Sequence, residues 1–208
     1  MTDAKFIVFE GIDGSGKSLQ SEKAYNFLKN KNIRVYWTNE PSEKGLRKTI
    51  KEVIYSKSSV NDAKLDSLLF SADRRYHIVT EIEPELEKGN HVICDRYYHS
   101  TLAYQSCEGL DLKWLKAINK YARKPDITII FDLSAEAAIE RIAGASRKEI
   151  ENAKYENYEF LKKLEKVYKN LPEILPDEKI ILIDGNKSIE EVEIDVKNIL
   201  TKELNLSN

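Results

Sequence analysis

The stretch Phe6-Ile7-Val8-Phe9-Glu10-Gly11-Ile12-Asp13-Gly14-Ser15-Gly16-Lys17-Ser18 decides the fold. Its first four residues are aromatic or β-branched, the composition of a strand buried on both faces. Gly11 to Ser18 then matches G-x-x-x-x-G-K-[ST], and from Lys17 to Lys31 apolar residues recur at three-to-four spacing, as on a helix. Strand, glycine turn, helix is the context this motif requires. Glycines let the backbone wrap a phosphate, successive N–H groups point inward, and the helix N-terminus favours negative charge. Gly11, Ile12, Asp13, Gly14, Ser15, Gly16, Lys17 and Ser18 therefore read as a nucleotide phosphate cradle. Lys17 is placed to bridge the β- and γ-phosphates, and Ser18 to ligate Mg²⁺.

Working outward, four more apolar runs read as strands: Ile33 to Trp37, His91 to Cys94, Ile127 to Phe131 and Lys179 to Ile183. Helical patterns separate them, at Leu46 to Tyr55, Asp62 to Lys88, Ala135 to Ile142 and Ile189 to Leu204, with another helical stretch expected to end before Pro172. Pro84 is expected to end or kink the Asp62 to Lys88 helix. Five buried strands alternating with helices predict an α/β fold, a doubly wound five-stranded parallel sheet. Ligands of such sheets bind beyond the carboxyl ends of the strands, where Glu10, Asp95, Asp132 and Asp184 stand. The charged, aperiodic segment Gly144 to Ala153 reads as a mobile lid, with bounds near 143–155, or as an exposed loop. Residues 1–208 read as one domain, since a chain of this length buries one substantial core.

Composition narrows the partners. Lys and Arg (33) nearly balance Asp and Glu (35), so the net charge is -2 and no broad basic field points to a nucleic acid. Cys94 and Cys107 form neither a disulfide framework nor a C-x-x-C pair, and read as reduced thiols. No leader pattern opens the chain and no apolar run approaches the ~18 residues of a membrane span. The expectation is a cytoplasmic protein without a membrane partner. Asp62, His77, His91 and His99 have no metal-site spacing. Asp62 suits a helix N-cap, Cys94 a small core residue, and Ser188 with Glu191 a capping box.

Two further stretches narrow the class: Leu68 to Arg74, and Asp95-Arg96-Tyr97 followed by Ser100, Ala103, Tyr104 and Gln105. Together with Phe9 to Ser18, Asn39-Glu40-Pro41, Pro84, Gly89, Tyr155-Glu156-Asn157, Phe160 and Asp184, they make the chain resemble thymidylate kinase over nearly its whole length. The resemblance implies a P-loop kinase that moves the γ-phosphoryl group of ATP onto dTMP, giving dTDP and ADP in dTTP synthesis, and a homodimer in which the Asp62 to Lys88 helix offers an apolar face. It also implies roles. Phe70 stacks on the acceptor base, Arg74 bonds its exocyclic oxygen, Arg96 holds the acceptor phosphate and Asp13 meets the 3′-hydroxyl. Ser100, Thr101, Tyr104 and Gln105 complete the dTMP site, with the Tyr104 ring beneath the sugar. Asp95 is selected as the carboxylate beside Mg²⁺, with Asp132 as runner-up, and Arg141 resembles the position that packs on adenine.

The chain departs from the family in two places. Some members carry an arginine in the phosphate loop where this chain has Gly14, so the cation is expected from the lid, with Arg147 first and Lys148 and Lys154 behind it. Asn39 replaces an arginine common before Glu-Pro, which leaves Arg47 or Lys51 to reach the acceptor phosphate. An acceptor phosphate with a second pKa near ~6 is already ionised and needs no general base. Lys17, Arg96 and a lid cation then form the catalytic set. The competing readings are a deoxynucleoside kinase, which needs a positioned base for a neutral hydroxyl, and a P-loop switch, whose N-K-x-D sequence is missing because Tyr121-Ala122 follows Asn119-Lys120.

Overall fold

The computed structural model describes residues 3–55, 61–144 and 157–206. From β1 (Phe6–Glu10) the chain passes through α1 (Lys17–Asn30), β2 (Val35–Asn39), α2 (Arg47–Ile54) and α3 (Ala63–His77). A π-helical turn (Ile78–Ile82) and α4 (Glu83–Glu87) lead to β3 (His91–Asp95), then α5 (Tyr98–Cys107) and α6 (Leu112–Ile118). The remainder is β4 (Ile127–Asp132), α7 (Ala135–Gly144), α8 (Tyr158–Ile174), β5 (Ile180–Asp184) and α9 (Ile189–Glu203). The strands form one parallel sheet in the order β2-β3-β1-β4-β5. Connections leave β1 toward one edge and β3 toward the other, so the switch point lies between the carboxyl ends of these neighbours.

Side chains of a strand alternate between faces, and both faces are covered. Phe6, Val8, Val92, Cys94 and Ile130 pack with Leu102 of α5 and Leu161, Leu164 and Tyr168 of α8. Ile7, Phe9, Ile93, Ile129 and Phe131 pack with Ala24 and Leu28 of α1 and Val192, Val196 and Leu200 of α9. Only the three inner strands are deeply buried. β2 and β5 are edges and are partly exposed, Leu182 at 37%, which corrects the expectation of five buried strands. β2 also starts two residues later than the apolar run: Asn32 (φ 59°) turns the chain and Ile33 N–H still closes the end of α1 on Leu28 C=O (3.0 Å).

The prolines act in two ways. Of the two outcomes expected at Pro84, an end or a kink, the helix does not end but is interrupted: the ring has no N–H to give and crowds the preceding turn, which widens into a π-helical turn in which Glu83 N–H reaches Ile78 C=O. Pro172 lies inside α8, in its last turn, where one backbone bond is lost while Leu175 N–H still bonds Leu171 C=O (2.9 Å). Helix α5 gave no amphipathic signal because seven of its residues, Tyr98, His99 and Thr101 to Gln105, are buried nearly all round. The expected caps are present: Asp62 accepts from Lys64 and Leu65 N–H, and Ser188 and Glu191 form the capping box. Residues 143 and 144, assigned above to the lid, belong to α7; Arg147, Lys148, Lys154, Tyr155 and Glu156 lie outside the described residues.

Candidate active site

The glycine loop is pressed between the end of β4 and helix α7. A Cβ on Gly11 would meet Phe131 C=O at 2.9 Å, and Gly14 has φ 81° with Ala138 C=O 3.0 Å from where a Cβ would stand. Both positions therefore favour glycine. α1 begins with Gly16 as N-cap and no side chain capping it, so its first N–H groups remain for an anion. Lys17 is buried, its Nζ 3.4 Å from Ile12 C=O and 3.5 Å from Asp13 Oδ1. Burial and the Arg96 charge lower its pKa, against the pull of Asp13, Asp95 and Glu10.

Asp95 ends β3, and its buried Oδ1 has no hydrogen-bond partner. A buried carboxylate oxygen without a donor is costly, and carboxylate and hydroxyl oxygens suit Mg²⁺. Asp95 and the exposed Ser18 thus fit the metal expected beside the loop. Asp132 is committed elsewhere, 3.5 Å from Lys169 Nζ.

Arg96 turns the chain from β3 into α5 at φ 67°, its N–H on Phe9 C=O (2.9 Å). Glu10, at the end of β1, holds this turn. Its carboxylate accepts from Tyr97 N–H (2.7 Å), Ser100 N–H (3.0 Å), Ser100 O–H (2.8 Å) and Tyr168 O–H (3.0 Å), satisfying donors at the start of α5. The Arg96 guanidinium donates to Ser100 Oγ (3.0 Å) and to Asp13, and lies 5.3 Å from the Tyr104 ring centre. Tyr104 O–H donates to Asp13 Oδ2 (3.0 Å). Burial alone raises the Asp13 pKa, but Arg96, then Lys17 and the Tyr104 hydroxyl, outweigh it and bring it down to about 2. Asp13 is a firmly ionised anchor for Arg96.

From this cluster a cleft of about 310 Å³ runs along α5 to α3. Asp13, Phe70, Arg74, Arg96, Ser100, Thr101, Tyr104 and Gln105 all line it, so the eight residues assigned to the acceptor meet in one place. Phe70 is half-buried and belongs to neither core cluster. Arg74 is buried and donates to Glu40 (2.9 Å), Asn119 (2.6 Å) and Thr101 (3.3 Å). Arg47 and Lys51 both face the cleft from α2, and Arg47 also donates to Pro41 C=O (2.8 Å). Arg141 lies beside the glycine loop, 3.5 Å from Gly14 C=O.

Sequence reading missed the supporting carboxylates. Asp73 accepts from Ser42 N–H (2.7 Å), Leu46 N–H (2.6 Å) and Ser42 O–H (3.2 Å), which fixes the loop that carries α2. Glu40 joins Arg74 to His77, whose other ring nitrogen lies 2.7 Å from Thr38 Oγ1. Both stood within quoted motifs, but adjacency in sequence does not reveal what a carboxylate faces. Asn119 lay in no site motif at all.

The family model for thymidylate kinase matches residues 9–196. A probable thymidylate kinase of Staphylothermus marinus is 38% identical over 199 residues, covering 96% of each chain. One of Methanocaldococcus jannaschii is 42% identical over 193 residues, 92% of this chain and 93% of its own. One of Pyrococcus horikoshii is 36% identical over 204 residues, 96% and 97% of the two chains. With the phosphate loop, the Asp-Arg-Tyr turn and the acceptor cleft built as described, this chain belongs to the thymidylate kinase family.

Proposed function

We propose that the chain transfers the γ-phosphoryl group of ATP to dTMP, giving dTDP and ADP, as a step of dTTP synthesis. One observation carries the choice of acceptor. The carboxylates lining the cleft, Asp13 and Glu40, are both committed to arginines, and Asp13 is held near 2. Asp13, held that low, is a poor base for a neutral hydroxyl near pH 7, and Glu40 already accepts from Arg74, which disfavours a nucleoside acceptor. A monophosphate acceptor needs only charge and alignment.

In this mechanism the N–H groups of the glycine loop and Lys17 hold the donor phosphates, and Arg96, braced by Asp13 and Ser100, holds the acceptor phosphate. Phe70 offers its face to the base and Arg74 its guanidinium to the base carbonyl. The Tyr104 ring lies beneath the sugar. Mg²⁺ would be held by Ser18 and Asp95 and would supply charge that offsets the facing phosphates. We assign Arg147 as the lid cation that Gly14 does not provide, and Arg141 as the adenine contact.

A coupled assay with ATP, Mg²⁺ and a panel of nucleosides and nucleoside monophosphates tests the reading. The expected order places dTMP first, the ribose counterpart about tenfold or more lower because its 2′-hydroxyl meets an apolar ring unpaired, and thymidine at background. Thymidine turned over as well as dTMP overturns it.

The two thiols, Cys94 and Cys107, are unpaired, which supports a reducing cytoplasmic setting. Among the described residues no helix is long and apolar enough to cross a membrane. The assembly we propose is a homodimer through the 62–88 helical segment, where Leu68, Tyr76 and Val79 are exposed at 49%, 45% and 43%. In sedimentation the parent chain is expected at dimer mass and the double variant Leu68→Glu with Val79→Glu at monomer mass; an unshifted double variant moves the interface elsewhere.

A further inference from the structure

Arg74 is only 3% exposed, and Glu40 meets its charge asymmetrically. Its Nε and Nη2 converge on one oxygen, Oε2, at 2.9 and 2.8 Å, while Glu40 Oε1 faces His77 Nδ1 at 3.3 Å. Two parallel bonds to two oxygens lock a guanidinium plane. A fork converging on one oxygen fixes the plane less firmly, and the buried Tyr97 ring, its centre 5.3 Å from the guanidinium carbon, bounds one side of it. Two neutral oxygens complete the hold: Thr101 Oγ1, 3.3 Å from Nη2, and Asn119 Oδ1, much closer at 2.6 Å from Nη1.

Asn119 is itself held. Its Nδ2 donates to Leu115 C=O (2.9 Å), and Ser71 O–H donates to the same Oδ1 (3.3 Å). A guanidinium only donates, so the amide oxygen faces Arg74 and the flipped amide is excluded. The residue stands at the C-cap of α6, remote in sequence from every acceptor motif.

We propose that Asn119 is a positioning residue for the acceptor base: it sets the plane of the Arg74 guanidinium and so the direction in which its free N–H meets the base carbonyl. The inference rests on the dTMP reading above, in which Arg74 faces the base. Asn119 carries no charge, so removing it leaves the Glu40 pair intact and releases only the orientation.

The test compares the parent with Asn119→Ala and Asn119→Asp, measuring kcat, KM for dTMP and for ATP, the preference for dTMP over dCMP, and the melting temperature. Asn119→Ala is expected to raise KM for dTMP about tenfold and to lower the dTMP:dCMP preference similarly, the scale of one hydrogen bond to a charged group. KM for ATP and kcat are expected within about twofold of the parent, because the phosphate contacts are untouched. Asn119→Asp keeps an acceptor oxygen but loses the donor to Leu115 C=O, and is expected to recover part of the loss. A KM for dTMP within about twofold of the parent in Asn119→Ala overturns the proposal, as does a loss spread equally over kcat and both KM values that follows the melting temperature. If the alanine variant does not fold, Asn119→Leu fills the volume without an acceptor and carries the same comparison. A parent chain that does not prefer dTMP overturns the functional reading and this proposal together; a dTMP-selective parent with an indifferent Asn119→Ala overturns the positioning role alone.

Discussion

Lys17→Ala is expected to lower kcat/KM by at least about a thousandfold, the scale of losing a preorganised charge at a transferring phosphoryl group, while the melting temperature stays at or above that of the parent. The two halves of the expectation have one cause. Lys17 is a buried cation whose pKa is lowered by burial and by Arg96. A lysine whose folded pKa lies below its unfolded value binds its proton more weakly when folded, so at neutral pH its charge opposes folding. That cost is retained because the charge acts on phosphates. Activity with ATP and dTMP, read beside a melting curve near pH 7, checks both halves. Near-parent turnover removes Lys17 from the catalytic set, and a marked loss of stability shows that its contacts to Ile12 and Asp13 hold the loop together.

Arg96→Ala is expected to lower kcat/KM for dTMP on the order of a hundredfold to a thousandfold, with KM for ATP little changed. Arg96 is aimed at the cleft by its left-handed backbone and held there by Asp13 and Ser100, so the loss falls on the acceptor phosphate. A second effect appears in stability against pH. The parent's Asp13 has a folded pKa of about 2, below its unfolded value of 3.8. Its contribution to stability is therefore fully present above roughly pH 4 and is lost as pH falls toward 2. Without Arg96 the largest influence holding Asp13 down is gone and burial raises its pKa. The stability gap between parent and variant that arises from Asp13 should be open above pH 4 and close as pH falls. Denaturant midpoints across that range decide it; a gap independent of pH means that Asp13 is not anchored by Arg96.

Local sequence was sufficient wherever chemistry and structure depend on neighbours along the chain. Gly11 to Ser18 announces a phosphate loop because strand, glycine turn and helix follow one another directly, and Asp62 and Ser188 announce helix starts because a cap and its N–H partners lie within three residues. The three inner strands are visible because burial on both faces makes them uninterrupted apolar runs. Helix α5 escaped the same reading, since burial all round erases the polar stripe that marks a helix, and Pro172 misled because the last turn of α8 tolerates the one backbone bond it removes.

The acceptor residues were recognised only as a pattern belonging to a family; nothing local states that Asp13 and Arg96 touch across 83 positions or that Glu10 caps a helix 90 positions away. Those pairings exist because β1 and β3 are sheet neighbours, which brings their carboxyl ends together at the switch point. The sequence by itself determined the fold class, the phosphate loop and the family to which the chain is similar. Only the tertiary structure decided that Asp132 faces Lys169 while Asp95 keeps a bare oxygen, that Arg74 meets Glu40 through a single oxygen, and that Asn119 accepts from its other nitrogen. The reason is physical: a buried charge takes its role from what surrounds it in space, and that surrounding is assembled from segments that only folding brings into contact.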